Sequence, residues 1–273
     1  MTGLRLVRYG AGAGPVAIYF HGAPGAPEEV ARFDTAAREA GVRLLALDRG
    51  ALGGGEAVRF ERLAAEVETL SDGAPAHLIG YSLGAFAAAR TAALAHGRIA
   101  SLDLISAAAP LELGDFLDGM AGKPVFTLAR SSPGLLGAMT ALQSAVAAVA
   151  PMRLFDMLFA TAVGEDRALA QDAGFRAELG AVLRRALGKG RPGYLADVRA
   201  YVRPWSQHLA EVTVESHIWH GLEDNWAPPA MAVALERALP SVAQTDITEG
   251  LSHYSCLYRA MPRILARIGG GEA

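Results

Sequence analysis

The chain is nearly without cysteine. Cys256 is the only one in 273 residues, so no internal disulfide can form, and the composition fits a reducing, cytoplasmic compartment. Charge is scarce as well. Charged residues make up 19% of the chain and the net charge is −3, which leaves no electrostatic footprint for nucleic acid. Lysine is almost missing, since only Lys123 and Lys189 occur and the other basic residues are arginine. No His/Cys cluster stands at metal-ligand spacing, and no Gly-x-Gly-x-x-Gly sits between a strand and a helix. Neither a metal nor a nucleotide cofactor is therefore expected. The segment Met1–Arg8 has scattered charge and no apolar core, unlike a signal peptide. No internal repeat is seen. One stretch, Ser131 to Met152, has no charged residue and is long enough to span a bilayer. Pro133, Gly134, Gly137, Thr140, Gln143, Ser144 and Pro151 break it up, so no stable membrane insertion is expected. Buried helices facing an apolar cavity are expected instead.

What is present is a hydrophobic chain, 52% apolar, in which strand and helix signals alternate. Val16–Phe20 reads as a strand ending at His21, followed by a helix from roughly Glu28 to Glu39. Val42–Leu47 is a second strand. Phe60, Leu63, Ala64, Val67 and Leu70 fall on one helix face. Ala76–Tyr81 and Ile99–Ser106 are strands that flank an alanine-rich helix. Near the C-terminus, Val212–Trp219 and Ala243–Thr248 read as strands. Met231, Ala234, Leu235, Ala238 and Leu239 form one helix face, and Leu257, Met261, Ile264, Leu265 and Ile268 form another. Such alternation predicts an α/β fold with a mostly parallel sheet covered on both faces. Between about Pro110 and Trp205 the pattern is helical throughout. We expect a core from residues 1–110 and 206–273, with residues 111–205 as an inserted helical cap.

The chemistry centres on Gly80-Tyr81-Ser82-Leu83-Gly84, which lies between the Ala76–Tyr81 strand and the following helix. A serine on a tight strand-to-helix turn has its hydroxyl forced outward. A serine hydroxyl is a poor nucleophile unless a base stands beside it. Histidine suits that task, and a carboxylate on its far ring nitrogen fixes the tautomer. Downstream lie Gly221-Leu222-Glu223-Asp224 and Gly250-Leu251-Ser252-His253, in the order Ser…Asp…His. Of the other histidines, His77, His217 and His220 sit in or at the end of strands, and His96 and His208 lack a fitting context. Glu223 rivals Asp224 by adjacency, and Asp103 is discounted because it lies inside a strand. The turn after Val16–Phe20, with Gly22 and Pro24-Gly25, can aim the amide of Ala23 at an oxyanion. Asp48-Arg49 reads as a structural ion pair. Trp205 and Trp219 read as packing residues, Trp226 as near enough to Asp224 to line a pocket, and Cys256 as a core residue.

These pieces resemble the α/β-hydrolase superfamily, in particular bacterial serine hydrolases with a helical cap. The matching segments are His21-Gly22-Ala23-Pro24-Gly25, Asp48-Arg49-Gly50, the Ser82 turn, Arg203-Pro204-Trp205, Ile218 to Asp224 with Pro228, and His253. The resemblance implies Ser82 as nucleophile, Asp224 as acid and His253 as base, with the amides of Ala23 and Leu83 as oxyanion hole. It departs at Gly50, where relatives often have proline. It departs again at Leu251-Ser252, where they have a smaller Gly-x-Gly-His approach, and at Trp226. The expected activity is hydrolysis of an apolar ester, lactone or thioester through an acyl-enzyme, with no cofactor and a small apolar substrate as partner. The alternatives are a non-hydrolytic enzyme on the same scaffold (an acyltransferase, carbon–carbon lyase or cyclase) or a small-molecule receptor. The serine at the turn disfavours the carboxylate-nucleophile haloalkane and epoxide enzymes.

Overall fold

The structure, a computed structural model, describes residues 4–52, 55–71, 73–95 and 97–271. His96 and the residues before Leu4 lie outside them. One sheet of seven strands organises the chain. In sequence order the strands are β1 (Arg5–Gly10), β2 (Val16–Phe20), β3 (Arg43–Asp48), β4 (Ala76–Tyr81), β5 (Ile99–Ile105), β6 (Ser216–Gly221) and β7 (Val242–Thr248). Across the sheet they run β1-β3-β2-β4-β5-β6-β7. β1 is antiparallel to β3 and the other pairings are parallel. β2 is buried along its whole length, as a strand covered on both faces must be. β1 was not legible in the sequence. It is a half-exposed edge strand carrying Arg5 and Arg8, and no apolar run marks it.

The helices of the core are α1 (Asp34–Glu39), α2 (Glu56–Leu70) and α3 (Leu83–Leu94). The expected helix over 28–39 is divided: Pro27–Phe33 is a 3-10 turn and only Asp34–Glu39 is α-helical. The Asp34 carboxylate at the junction accepts the amide of Gly10, tying the helix to β1. α3 is buried on every side from Leu83 to Ala93, and its alanines let it lie close on β4. A Cβ on Gly80 would stand 2.6 Å from the Cα of Ala85.

Between β5 and β6 the chain is helical: α4 (Lys123–Ser131), α5 (Pro133–Val149), α6 (Pro151–Leu158), α7 (Asp166–Leu169), α8 (Ala173–Leu187) and α9 (Arg191–Tyr201). Then come α10 (Ala230–Ala238) and α11 (His253–Ile268). β6 begins only at Ser216, because Ser206–Glu211 forms a 3-10 turn whose last amide bond, Val212 to Leu209, keeps the chain coiled. No helix among the described residues is long and apolar enough to cross a membrane.

The chain leaves β2 toward β3 on one side and later leaves β4 toward β5 on the other. β2 and β4 are neighbours, with Phe20 beside Gly80. The loops after these two strands therefore meet where the winding reverses, the place at which open parallel sheets form their crevice.

Candidate active site

Ser82 follows the last residue of β4 with φ 55° and ψ −125°, a backbone state that non-glycine residues rarely hold. Its amide donates to the Ile105 carbonyl at 3.0 Å, and its carbonyl accepts from Ala85 and Ala108 at 3.0 and 3.2 Å. These bonds pin the strained residue from both sides. The flanking glycines act differently from the simplest expectation. Neither Gly80 nor Gly84 has positive φ; Ser82 itself carries that torsion. The glycines supply space instead: a Cβ on Gly84 would stand 1.9 Å from the Phe20 carbonyl oxygen.

His253 is the first residue of α11 and is buried. Its Nδ1 donates to Asp224 Oδ2 at 2.8 Å. The other carboxylate oxygen, Oδ1, accepts the amides of Trp226 and Ala227 at 2.8 and 2.9 Å. Burial works against the charged Asp224. His253 and its hydrogen bond, with His220 and the Ala227 amide, outweigh that and hold the carboxyl below its ordinary pKa. Glu223 makes no such contact: its Oε2 is buried without a partner. His220 Nε2 donates to the Ala227 carbonyl at 2.8 Å, and burial lowers its pKa, so it stays neutral beside Asp224. Asp103 points elsewhere, to Trp219 and Arg267.

Ser82 and His253 line one cavity together with Gly22, Ala23, Tyr81 and Trp226. No hydrogen bond joins the Ser82 hydroxyl to the ring among the described residues. The amides of Ala23 and Leu83 carry no acceptor there either, and the latter is a free N–H at a helix start. Trp226 stacks on His253, with ring centroids 5.4 Å apart and 12° between planes. From the helical segment, Leu158 and Leu183 close the cavity, whose volume is about 10 Å³. That is room for one water. The uncharged stretch 131–152 does not line it. α5 turns Leu136, Thr140 and Ala147 inward and leaves Leu135, Leu142 and Val149 exposed, which corrects the expectation of a buried apolar wall.

Two positioning carboxylates escaped the sequence reading. Glu29 Oε2 accepts the Gly22 amide at 3.0 Å and the Tyr19 hydroxyl at 2.7 Å, and so sets the loop that carries Ala23. Burial raises its pKa against the pull of both bonds. Asp166, from α7, accepts the amides of Tyr254 and Ser255 at 3.0 and 2.7 Å, capping the helix that begins at His253. The Ser106 hydroxyl donates to the His253 carbonyl at 3.0 Å. Contacts across 88 residues or more, like those of Asp166 and Ser106, leave no local pattern. The one available signal was the polar Ser252 and Ser255 around His253, which form a capping box.

His21 opens the loop that carries Ala23 and is buried. Its Nδ1 donates to the Gly22 carbonyl at 2.8 Å, and burial lowers its pKa to about 3. Arg49 donates to the His21 carbonyl at 2.9 Å and pairs with Asp197 of α9 at 3.0 Å, not with Asp48. Asp48 pairs with Arg185 at 3.1 Å instead. Among the described residues no three His, Cys, Asp or Glu side chains are grouped as metal ligands would be.

A family model described as the alpha/beta hydrolase family matches residues 17–268. Several solved structures share the architecture. A bromoperoxidase from Bacillus anthracis superposes with TM-score 0.68 at 16% identity, covering 97% of this chain and 94% of its own. The enol-lactonase of Burkholderia xenovorans LB400 gives 0.67 at 20%, covering 97% and 95%. An esterase from Exiguobacterium antarcticum gives 0.67 at 19%, covering 98% and 96%. At these identities the likeness is one of fold. No curated protein sequence matches significantly.

Proposed function

The chain belongs to the α/β-hydrolase family, and on that premise we propose that it is a serine hydrolase cleaving an apolar, uncharged ester, lactone or thioester. The observation that carries this reading is one juxtaposition. The strained Ser82, the Asp224-bound His253 and the Ala23 loop all meet at a single apolar cavity. Ser82 Oγ attacks the carbonyl carbon while His253 Nε2 takes its proton. The amides of Ala23 and Leu83 receive the developing oxyanion without any side chain being ordered for the purpose. The tetrahedral intermediate collapses to an acyl-enzyme as His253 returns the proton to the leaving group. Water, deprotonated by the same ring, then releases the acid. Asp224 holds Nδ1 protonated throughout, which leaves Nε2 free to act. In this reading residues 111–205 are a cap on the core, with Leu158 and Leu183 over the serine. The lining supplies no charge to pair with an ionic acyl group.

A fluorophosphonate tests it, since that reagent labels a serine only where base and oxyanion donors activate it. We expect stoichiometric labelling of Ser82 and an acyl adduct by intact mass with an activated ester. Ser82→Ala should abolish labelling and cut kcat by on the order of 10^4 or more. Full activity in Ser82→Ala would overturn the acyl-enzyme reading.

A further inference from the structure

α5 presents the wrong face to water. A surface helix ordinarily turns its polar side outward. Here the outward residues are Leu135, Ala138, Leu142, Ala145 and Val149, spaced to form one stripe, with Leu135, Leu142 and Val149 61%, 67% and 84% exposed. The polar residues of the helix are elsewhere: Thr140 is buried, and Gln143 and Ser144 sit on the half-buried flank. At its first turn this apolar face adjoins a groove of about 630 Å³ lined by Arg130, Pro133, Gly134, Arg199 and Arg203, of which Arg203 also pairs with Glu56 at 3.6 Å. Past the other end, Arg153, Asp156 and Met157 are exposed on α6, Met157 at 69%, with Asp156 paired to Arg176.

We propose that this face docks on an anionic lipid surface. Arg130 and Arg199 of the groove take phosphate headgroups, and the Leu–Val stripe lies in the boundary between headgroups and acyl chains. An exposed apolar helix marks an interaction site in general. The adjoining guanidinium groups point to the partner, because an amphiphilic anionic surface satisfies both halves at once. A second copy of the chain fits less well. Paired parallel through α5, two copies set the Arg130 and Arg199 ends against each other, with no acid between residues 131 and 152 to offset them. The area is also short. A 17-residue helix is about 26 Å long and about 10 Å wide. Such a face is about a third of the ~800 Å² per partner that a stable interface buries. The rest of the molecule is net negative and would be repelled by the lipid, which orients the docking. None of this depends on the chemistry at Ser82.

The test is flotation of the full chain with vesicles of phosphatidylcholine alone or mixed with phosphatidylglycerol. We expect binding only to the mixed vesicles, and its loss at high salt. Leu142→Glu and Arg130→Glu, both at exposed positions, should each weaken binding about tenfold or more, with thermal unfolding unchanged. Leu94→Glu, exposed on α3, is the control and should bind as the parent does. Absence of binding to the mixed vesicles overturns the proposal, as does binding that Leu142→Glu leaves intact. A concentration-dependent dimer in ultracentrifugation that Leu142→Glu dissociates also overturns it, and assigns the face to a second copy.

Discussion

At the scale of a residue, which carboxylate meets the histidine decides which ring nitrogen holds the proton. Asp224 offers one oxygen to His253 Nδ1 and anchors the other on two backbone amides, so both the carboxylate and the ring are held in place. Asp224→Asn would present an amide to Nδ1 and favour the opposite tautomer. In the proposed mechanism kcat on an activated ester should fall by about 10^4, while Glu223→Gln should stay within about threefold. The reverse pattern would shift the acid by one residue. Chain order and residue chemistry made Ser82, Asp224 and His253 legible as candidates, with Ala23 following from the turn it sits in. Glu29 and Asp166 were not legible. A carboxylate that serves a backbone amide in another element, near in sequence for Glu29 and far for Asp166, looks in sequence like any solvated acid, and only its burial reveals the role.

At the scale of elements, α9 is fastened to the core by a buried ion cluster. Arg49 and Arg59 both pair with Asp197. Burial opposes the charge on Asp197, and the two arginines overcome it, leaving the pKa below its ordinary value. The sign follows from linkage. A carboxyl depressed in the folded state stabilises above its unfolded pKa, near 3.9, and that stability is lost as pH falls through the folded value. The contribution is thus present at neutral pH and vanishes in acid. Asp197→Ala leaves two buried guanidinium groups unpaired, which costs about 3–5 kcal/mol and lowers Tm by about 10 °C near pH 7. The difference from the parent should shrink as calorimetry is repeated below pH 4. Gly50 belongs to the same junction. A Cβ on Gly193 would stand 2.1 Å from the Gly50 Cα, so glycine here permits α9 to approach. Sequence marked Gly50 as a departure from proline without showing what approaches it.

At the scale of the molecule, the cavity at Ser82 is about 10 Å³ and is closed by Leu158 and Leu183. The apolar run 131–152, expected to face an apolar cavity, does not line this one and leaves Leu135, Leu142 and Val149 exposed. In the proposed mechanism, selectivity for chain length therefore rests on the residues that touch the cavity. Leu183→Ala should raise kcat/KM for longer acyl esters relative to acetate, by up to about fourfold per added methylene accommodated, as burial of each CH₂ contributes about 0.8 kcal/mol. An ester series compared between parent and variant measures this, and an unchanged profile would place the acyl chain elsewhere. Leu183 is 1% exposed, so the same change should also lower Tm.

By itself the sequence determined the α/β alternation, the place of the helical segment, and the residue types that meet at the crevice. Those properties rest on local rules: periodicity of apolar residues, glycine where backbones close on one another, and reactive residues after strand ends. Tertiary structure alone decided four things: β1 at the sheet edge, the partners of Arg49 and Asp48, the carboxylates that set the Ala23 loop and cap α11, and which side of α5 faces water. In these cases the energy lies in contacts between separate segments, from 7 residues apart for Glu29 and Gly22 to 148 for Arg49 and Asp197. The loss of charge from 131 to 152 shows that α5 is apolar, but only packing against its neighbours determines which of its apolar faces stays uncovered.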